Sequence, residues 1–116
     1  MILRGEVWLA DLDPHRGSDA AKQRPVVIVS NDGANAAASR LETGVVTVVP
    51  VTSNVARVLP FQVALTPPDS GLRRESKAQA EQVRSIDVGR LGSRLGRLSP
   101  TALWQVDEAL RLHLAL

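Results

Sequence analysis

The chain has 116 residues, 44% of them hydrophobic and 22% charged, which is enough for one domain with one modest core and too apolar for a disordered tail. It has no cysteine and only two histidines, His15 and His113, so disulfides, thiol chemistry and cysteine-bound zinc are excluded and no histidine pair has metal-ligand spacing. The formal net charge of +2 conceals an uneven distribution: Arg73 to Arg97 holds seven basic residues against three acids, a local +4 that suits an anionic partner or simply a solvated face.

Arginine dominates the basic set, with only Lys22 and Lys77 as lysines. Its planar fork fits phosphate and carboxylate groups, although a GC-rich genome gives the same bias. No stretch approaches the roughly 18 apolar residues of a membrane helix. The start, Met1-Ile-Leu-Arg-Gly-Glu6, lacks a signal-peptide layout. The expectation is one soluble, cytoplasmic domain over residues 1–116.

Residues 5–11 are rich in strand formers and predict a first strand. Asp13 to Gln23 is a polar segment with turn chemistry at Asp13-Pro14 and Gly17-Ser18; a connection of that length in so small a domain suits a binding loop. Pro25-Val-Val-Ile-Val-Ser30 and Val45-Val-Thr-Val-Val-Pro-Val-Thr52 are continuous β-branched runs, expected as strands buried on both faces. Between them a short helix is expected over 34–40, capped by Asp32. Phe61–Leu65 alternates as a further strand, 66–71 reads as a loop, and Ser76–Asp87 reads as one more strand. Leu91–Leu98 suits a turn and a short strand. Ser99 as N-cap and Pro100 at the first helical position open a terminal helix, with an apolar stripe at Leu103, Val106, Leu110 and Leu114 and with Trp104 beside it. This order predicts a mainly β, α+β domain: a small curled sheet or partly open barrel.

Phosphate-cradling and nucleophile-elbow motifs are absent. Chemistry would therefore fall to arginine, serine and threonine hydroxyls, carboxylates and backbone groups. Three segments place such residues where a strand meets a loop. Lys22-Gln23-Arg24-Pro25 precedes a buried strand, and Arg24 is either an exposed residue at a strand entrance or a fixed phosphate donor. Thr52-Ser53-Asn54 ends another strand, where hydroxyls donate to phosphate or cap a turn. In Gln79–Ile86, strand alternation sets Gln82 and Arg84 on one face and Glu81, Val83 and Ser85 on the other, a face able to read bases and phosphates or simply to be wet. Trp8 and Phe61 lie in strands and are expected in the core.

The order of these blocks says more than any one of them. Arg4-Gly-Glu-Val-Trp-Leu-Ala-Asp-Leu-Asp-Pro-His-Arg-Gly-Ser-Asp19 followed by Gln23-Arg-Pro-Val-Val-Ile-Val-Ser-Asn-Asp32 resembles the N-terminal signature of the MazF/PemK toxins. Val49-Pro-Val-Thr-Ser-Asn54 resembles that family's second block, and Ser76-Lys-Ala-Gln-Ala-Glu-Gln-Val-Arg-Ser-Ile-Asp87 its third. The resemblance covers nearly the whole chain, in order.

That resemblance implies an SH3-like, partly open curled barrel of the CcdB/MazF/PemK type, with a short helix and an amphipathic C-terminal helix. It implies a homodimeric toxin of a type II toxin–antitoxin system, which cuts single-stranded RNA at short sequences without a metal or other cofactor and is restrained by a cognate acidic antitoxin. It assigns Arg24 and Thr52 to catalysis, with Ser53 beside them. Arg4, Asp19, Gln82 and Glu81 match positions that contact RNA, and Lys22, Gln23, Asn54 and Arg84 are expected to bind RNA with them. RNA brings its own nucleophile, the 2′-OH, so the protein need only hold geometry and stabilise charge. Arg24 then serves as a donor to phosphate oxygens. Glu81, Asp19 and water are the candidates for general base. Two other classes share the fold: a CcdB-like toxin that binds a topoisomerase, with Trp104 at the contact, and a non-catalytic RNA- or peptide-binding module.

Overall fold

A computed structural model of the chain describes residues 1–12 and 23–116. The described residues form strands β1 (Glu6–Asp11), β2 (Gln23–Ile28), β3 (Val45–Thr52), β4 (Gln62–Leu65), β5 (Ser76–Gln79), β6 (Arg84–Asp87) and β7 (Leu91–Arg97), with helices α1 (Asp32–Leu41), α2 (Pro67–Ser70) and α3 (Pro100–Leu114). The strands make one open antiparallel sheet in the order β4-β5-β3-β2-β1-β7, with β6 also pairing β3. The mainly β, curled α+β architecture expected from the sequence is the one observed.

β3 organises the sheet because it is the longest strand. Along one edge Val45–Val48 pair with β6 and Val51–Thr52 pair with β5, while the other edge pairs with β2. Pro50, which has no N–H to give, sits where the first edge passes from β6 to β5, a break that tolerates it. The β-branched runs are buried on both faces as expected. Val7, Val27, Val49 and Val51 face one core with Val63 and Leu65, and Val26, Ile28, Val46 and Val48 face a second with Ala10 and Ile86. Ala102, Val106 and Ala109 of α3 close the first core, and Ala38 of α1 lies in the second. Each fully buried valine stabilises the fold by about 1.5–3 kcal/mol.

Several local expectations are corrected. Asn31, not Asp32, caps α1, its Oδ1 accepting from the Ala34 N–H at 2.8 Å; Asp32 instead accepts from the Arg4 N–H at 2.7 Å. The 76–87 segment is two strands separated by a 3₁₀ turn at Ala80–Gln82, because the second strand must leave β5 to pair the far end of β3. Residues 67–70, expected as loop, make a helical turn. Leu91–Arg97 is a full strand, held across β1. Ser99 caps α3 and Pro100 opens it as expected, but the buried stripe runs through Ala102, Val106 and Ala109, while Leu103 and Leu110 are half-buried and Leu114 is exposed. Small residues lie closest because α3 sits tight on the sheet.

Candidate active site

The β2–β3 register pairs Ile28 with Val48, Val27 with Val49 and Val26 with Pro50. Continued by two residues, it sets Arg24 across from Thr52. Arg24 is held from its other side by pairing with Ala10, and Gln23 pairs with Asp11. Gln23, Arg24, Pro25, Val51, Thr52 and Ser53 line an open hollow of about 460 Å³. Arg24 is exposed and its guanidinium has no hydrogen-bond or ion-pair partner among the described residues. A side chain fixed at its base by strand pairing with β1 and free at its tip is a preorganised donor.

Thr52 is half-buried, and its Oγ1 accepts from the Asn54 N–H at 3.2 Å. That bond fixes the oxygen while leaving its own hydrogen to donate. Asn54 Oδ1 in turn accepts from the Ala56 N–H at 3.4 Å, so Asn54 is engaged in the turn and Ser53 is presented to the hollow. Of the two roles open for this segment, the turn cap is observed, and the same residues also wall the hollow.

A second hollow of about 230 Å³ shares Pro25, Val51, Thr52 and Ser53 with the first and adds Leu72, Arg73, Arg74 and Ser76. Together they form one trough along the ends of β2 and β3. No acidic residue lines either hollow among the described residues.

The remaining sequence-selected residues are dispersed. Asp19 and Lys22 lie outside the described residues. Arg4 is not at the trough: its Nε donates to the Val29 carbonyl at 2.9 Å and its Nη2 pairs with Asp107 of α3. Val29 is five residues along from Arg24, about 16 Å at strand rise. Glu81 turns inward, where its Oε2 accepts from Gln62 Nε2 at 2.6 Å and its Oε1 is buried without a partner. The 3₁₀ turn breaks the alternation that would have aligned Glu81 with Val83 and Ser85. Gln82 is exposed on that turn, and Arg84 is exposed with one N–H on the Leu12 carbonyl at 3.3 Å. Arg90 donates to the Asp11 carbonyl at 3.2 Å. These two arginines thus clasp the end of β1.

Three residues around the trough carry little signal in the sequence. Arg73 and Arg74 count there only as part of a charge surplus, because their position depends on the chain folding back beside β3. Lys77, the residue paired with Thr52 in β5, is buried, and its Nζ donates to the Arg57 carbonyl, which ties down the segment that follows Ser53. A lysine inside a strand is the one available signal.

Known proteins resemble this chain in both sequence and fold. The family model described as PemK-like, MazF-like toxin of type II toxin–antitoxin system matches residues 3–114. The chain is 60% identical to a Mycobacterium tuberculosis protein named Endoribonuclease MazF9, over all of this chain and 98% of that one. It is 56% identical over 93 residues to Probable endoribonuclease MazF1 of the same organism, covering 79% of this chain and all of that one. Among solved structures it is similar to a mycobacterial endoribonuclease in complex with its cognate antitoxin (TM-score 0.79, 28% identity, 100% of this chain and 97% of that one). It is likewise similar to MazF from Deinococcus radiodurans (TM-score 0.77, 25% identity, 99% and 97%). With a family model spanning nearly all of its length and a close relative matched end to end, this chain belongs to the PemK/MazF family of type II toxin–antitoxin toxins.

Proposed function

We propose that this toxin is a cytoplasmic endoribonuclease that cuts single-stranded RNA at selected sequences, without a metal, in the trough between Arg24 and Thr52. The observation that carries the reading is one hollow, at the ends of β2 and β3, lined by both an unpartnered guanidinium and an oriented hydroxyl. The 2′-OH of one nucleotide attacks the adjacent phosphorus, and the bond from phosphorus to the 5′ oxygen of the next nucleotide breaks. The products are a 2′,3′-cyclic phosphate and a 5′-OH. Arg24 donates to the two non-bridging oxygens as charge grows on them, and Thr52 adds a third donor with Ser53 beside it. Such a donor is worth about 3 kcal/mol of barrier. Glu81, turned to Gln62, is not placed to take the 2′ proton; Asp19 and water stay as candidates.

The same cationic trough attracts the acidic segment of a cognate antitoxin, whose carboxylates take the place of phosphates. A second copy of the chain completes the homodimer usual in this family. The deciding experiment digests a long defined RNA with the purified toxin, with and without EDTA, and maps both new ends. Cyclic phosphate and 5′-OH ends, unchanged by EDTA and blocked by a 2′-deoxy nucleotide at the cut, are the expected result. Normal cutting of the deoxy-substituted RNA would overturn the mechanism. Intact RNA together with DNA breakage in cells would favour a topoisomerase-binding toxin acting through exposed Trp104.

A further inference from the structure

The second hollow has features the cutting reaction does not use. Its floor is apolar, made by Pro25, Val51 and Leu72, and its rim carries Arg73 and Arg74. Both arginines are exposed, and neither has a hydrogen-bond or ion-pair partner among the described residues. Their backbone, by contrast, is held firmly. The Leu72 N–H donates to buried Ser70 Oγ at 3.2 Å, and Ser76 Oγ donates to the Arg74 carbonyl at 3.0 Å. Gly71 takes φ +77° at the end of α2, and a Cβ there would meet Gly96 Cα of β7 at 3.0 Å. The turn is therefore packed against the sheet, and its arginines project from a fixed base.

Of the four other arginines of the 73–97 stretch, three are engaged elsewhere, and exposed Arg97 lines neither hollow. Arg84 and Arg90 hold the end of β1, and Arg94 pairs with buried Glu6 at 3.1 Å. Of that local surplus, Arg73 and Arg74 are the pair left at the trough. An apolar floor with a cationic rim suits one nucleotide: its base lies on Pro25, Val51 and Leu72 while its phosphate meets the guanidiniums. It also answers the shortage of aromatic stacking residues, since Phe61 sits instead against His113, ring centroids 6.1 Å apart, and Trp8 packs on the core.

We propose that Leu72, Arg73 and Arg74, with Pro25 and Val51, form a subsite for the nucleotide flanking the scissile one. The subsite rests on the RNA-cutting reading, because it shares its wall, Thr52 and Ser53, with the Arg24 hollow. It holds RNA and takes no part in bond breaking.

The test uses a labelled RNA of roughly ten nucleotides, within the usual site size for single-strand binders. The RNA is centred on the mapped cut and carries a 2′-deoxy residue there. Binding is measured against salt for wild type and for Arg73→Gln/Arg74→Gln. Because both side chains are exposed and unpartnered, the variant should keep its thermal midpoint. The expected result is about tenfold weaker binding and a log–log salt slope shallower by about 0.7 for each phosphate no longer neutralised. On cleavable RNA, KM should rise about tenfold with kcat within about twofold, since weakening the ground and transition states equally leaves kcat unchanged. Shortening the RNA from one end, and not the other, should erase the difference. Wild-type affinity and slope in the variant would overturn the subsite, and so would a defect confined to antitoxin binding. If the wild-type protein cuts no RNA, the same measurement is made with an oligonucleotide from the RNA used for mapping. Weakened binding by the variant then keeps the subsite while the cutting mechanism fails.

Discussion

Gln62 donates a 2.6 Å hydrogen bond to Glu81 Oε2 and thereby commits the best-placed carboxylate of the third sequence block to the interior. The other end of the Gln62 amide accepts from the Leu59 N–H at 3.0 Å, so one buried side chain ties the approach to β4 to the 3₁₀ turn. A general base must come within hydrogen-bond reach of the proton it removes, and Glu81 does not line the trough. Glu81→Gln preserves the acceptor for Gln62 while deleting a charge whose Oε1 has no partner. Its thermal midpoint should equal or exceed wild type, with cutting within about twofold, whereas Glu81→Ala strands the Gln62 donor and costs about 1–3 kcal/mol. Lost cutting in a stable Glu81→Gln protein would restore Glu81 as the base.

Arg24 gives the opposite pattern. Being exposed and unpartnered, it can be removed with little effect on stability. Arg24→Ala should keep the wild-type thermal midpoint and lose about a hundredfold or more in single-turnover cleavage. Arg24→Lys keeps the charge but not the fork, and should recover only a minor part of the rate. Full activity in Arg24→Lys would mean that charge alone, not two-pronged donation, is what the phosphate needs.

The strands that build the trough were legible because β-branched runs have few other uses: Val26–Ile28 and Val45–Thr52 could scarcely be anything but buried strands. Arg24 and Thr52 were legible only through the family's block order, since one strand-entrance arginine carries no chemistry by itself. What was not legible depends on where the chain goes next. β3 pairs with two strands along one edge, so the run 76–87 has to break, and that break sends Glu81 inward. Arg73 and Arg74 reach the trough because α2 and Gly71 fold the chain back against Gly96, a long-range approach with no local signature.

Thr52 Oγ1 accepts from the Asn54 N–H and keeps a hydrogen to donate. Thr52→Ser retains both abilities and should cut within a few-fold of wild type. Thr52→Val, of nearly the same shape, loses the donor and leaves the Asn54 amide to water. Its single-turnover rate should fall by about one to two orders of magnitude with kcat falling more than KM rises, the mark of a bond made chiefly in the transition state. A loss confined to KM would make Thr52 a binding residue only.

Arg4 separates a structural from a functional assignment. Its Nε reaches the Val29 carbonyl and its Nη2 pairs with Asp107, so one side chain joins the end of β2 to α3, while its own N–H meets Asp32 at the start of α1. The ion pair is about one-third exposed on each side, which moderates its worth through solvent screening. The hydrogen bonds of a charged donor add to it, and Arg4→Ala should cost about 1–2 kcal/mol. Asp107→Ala should cost less, and the double variant should cost less than the two singles together, because both remove the same pair. In none of the three should the mapped cut sites change, nor the salt slope of oligonucleotide binding. A shallower slope in Arg4→Ala, with Asp107→Ala unaffected, would show Arg4 meeting a phosphate and not only a helix.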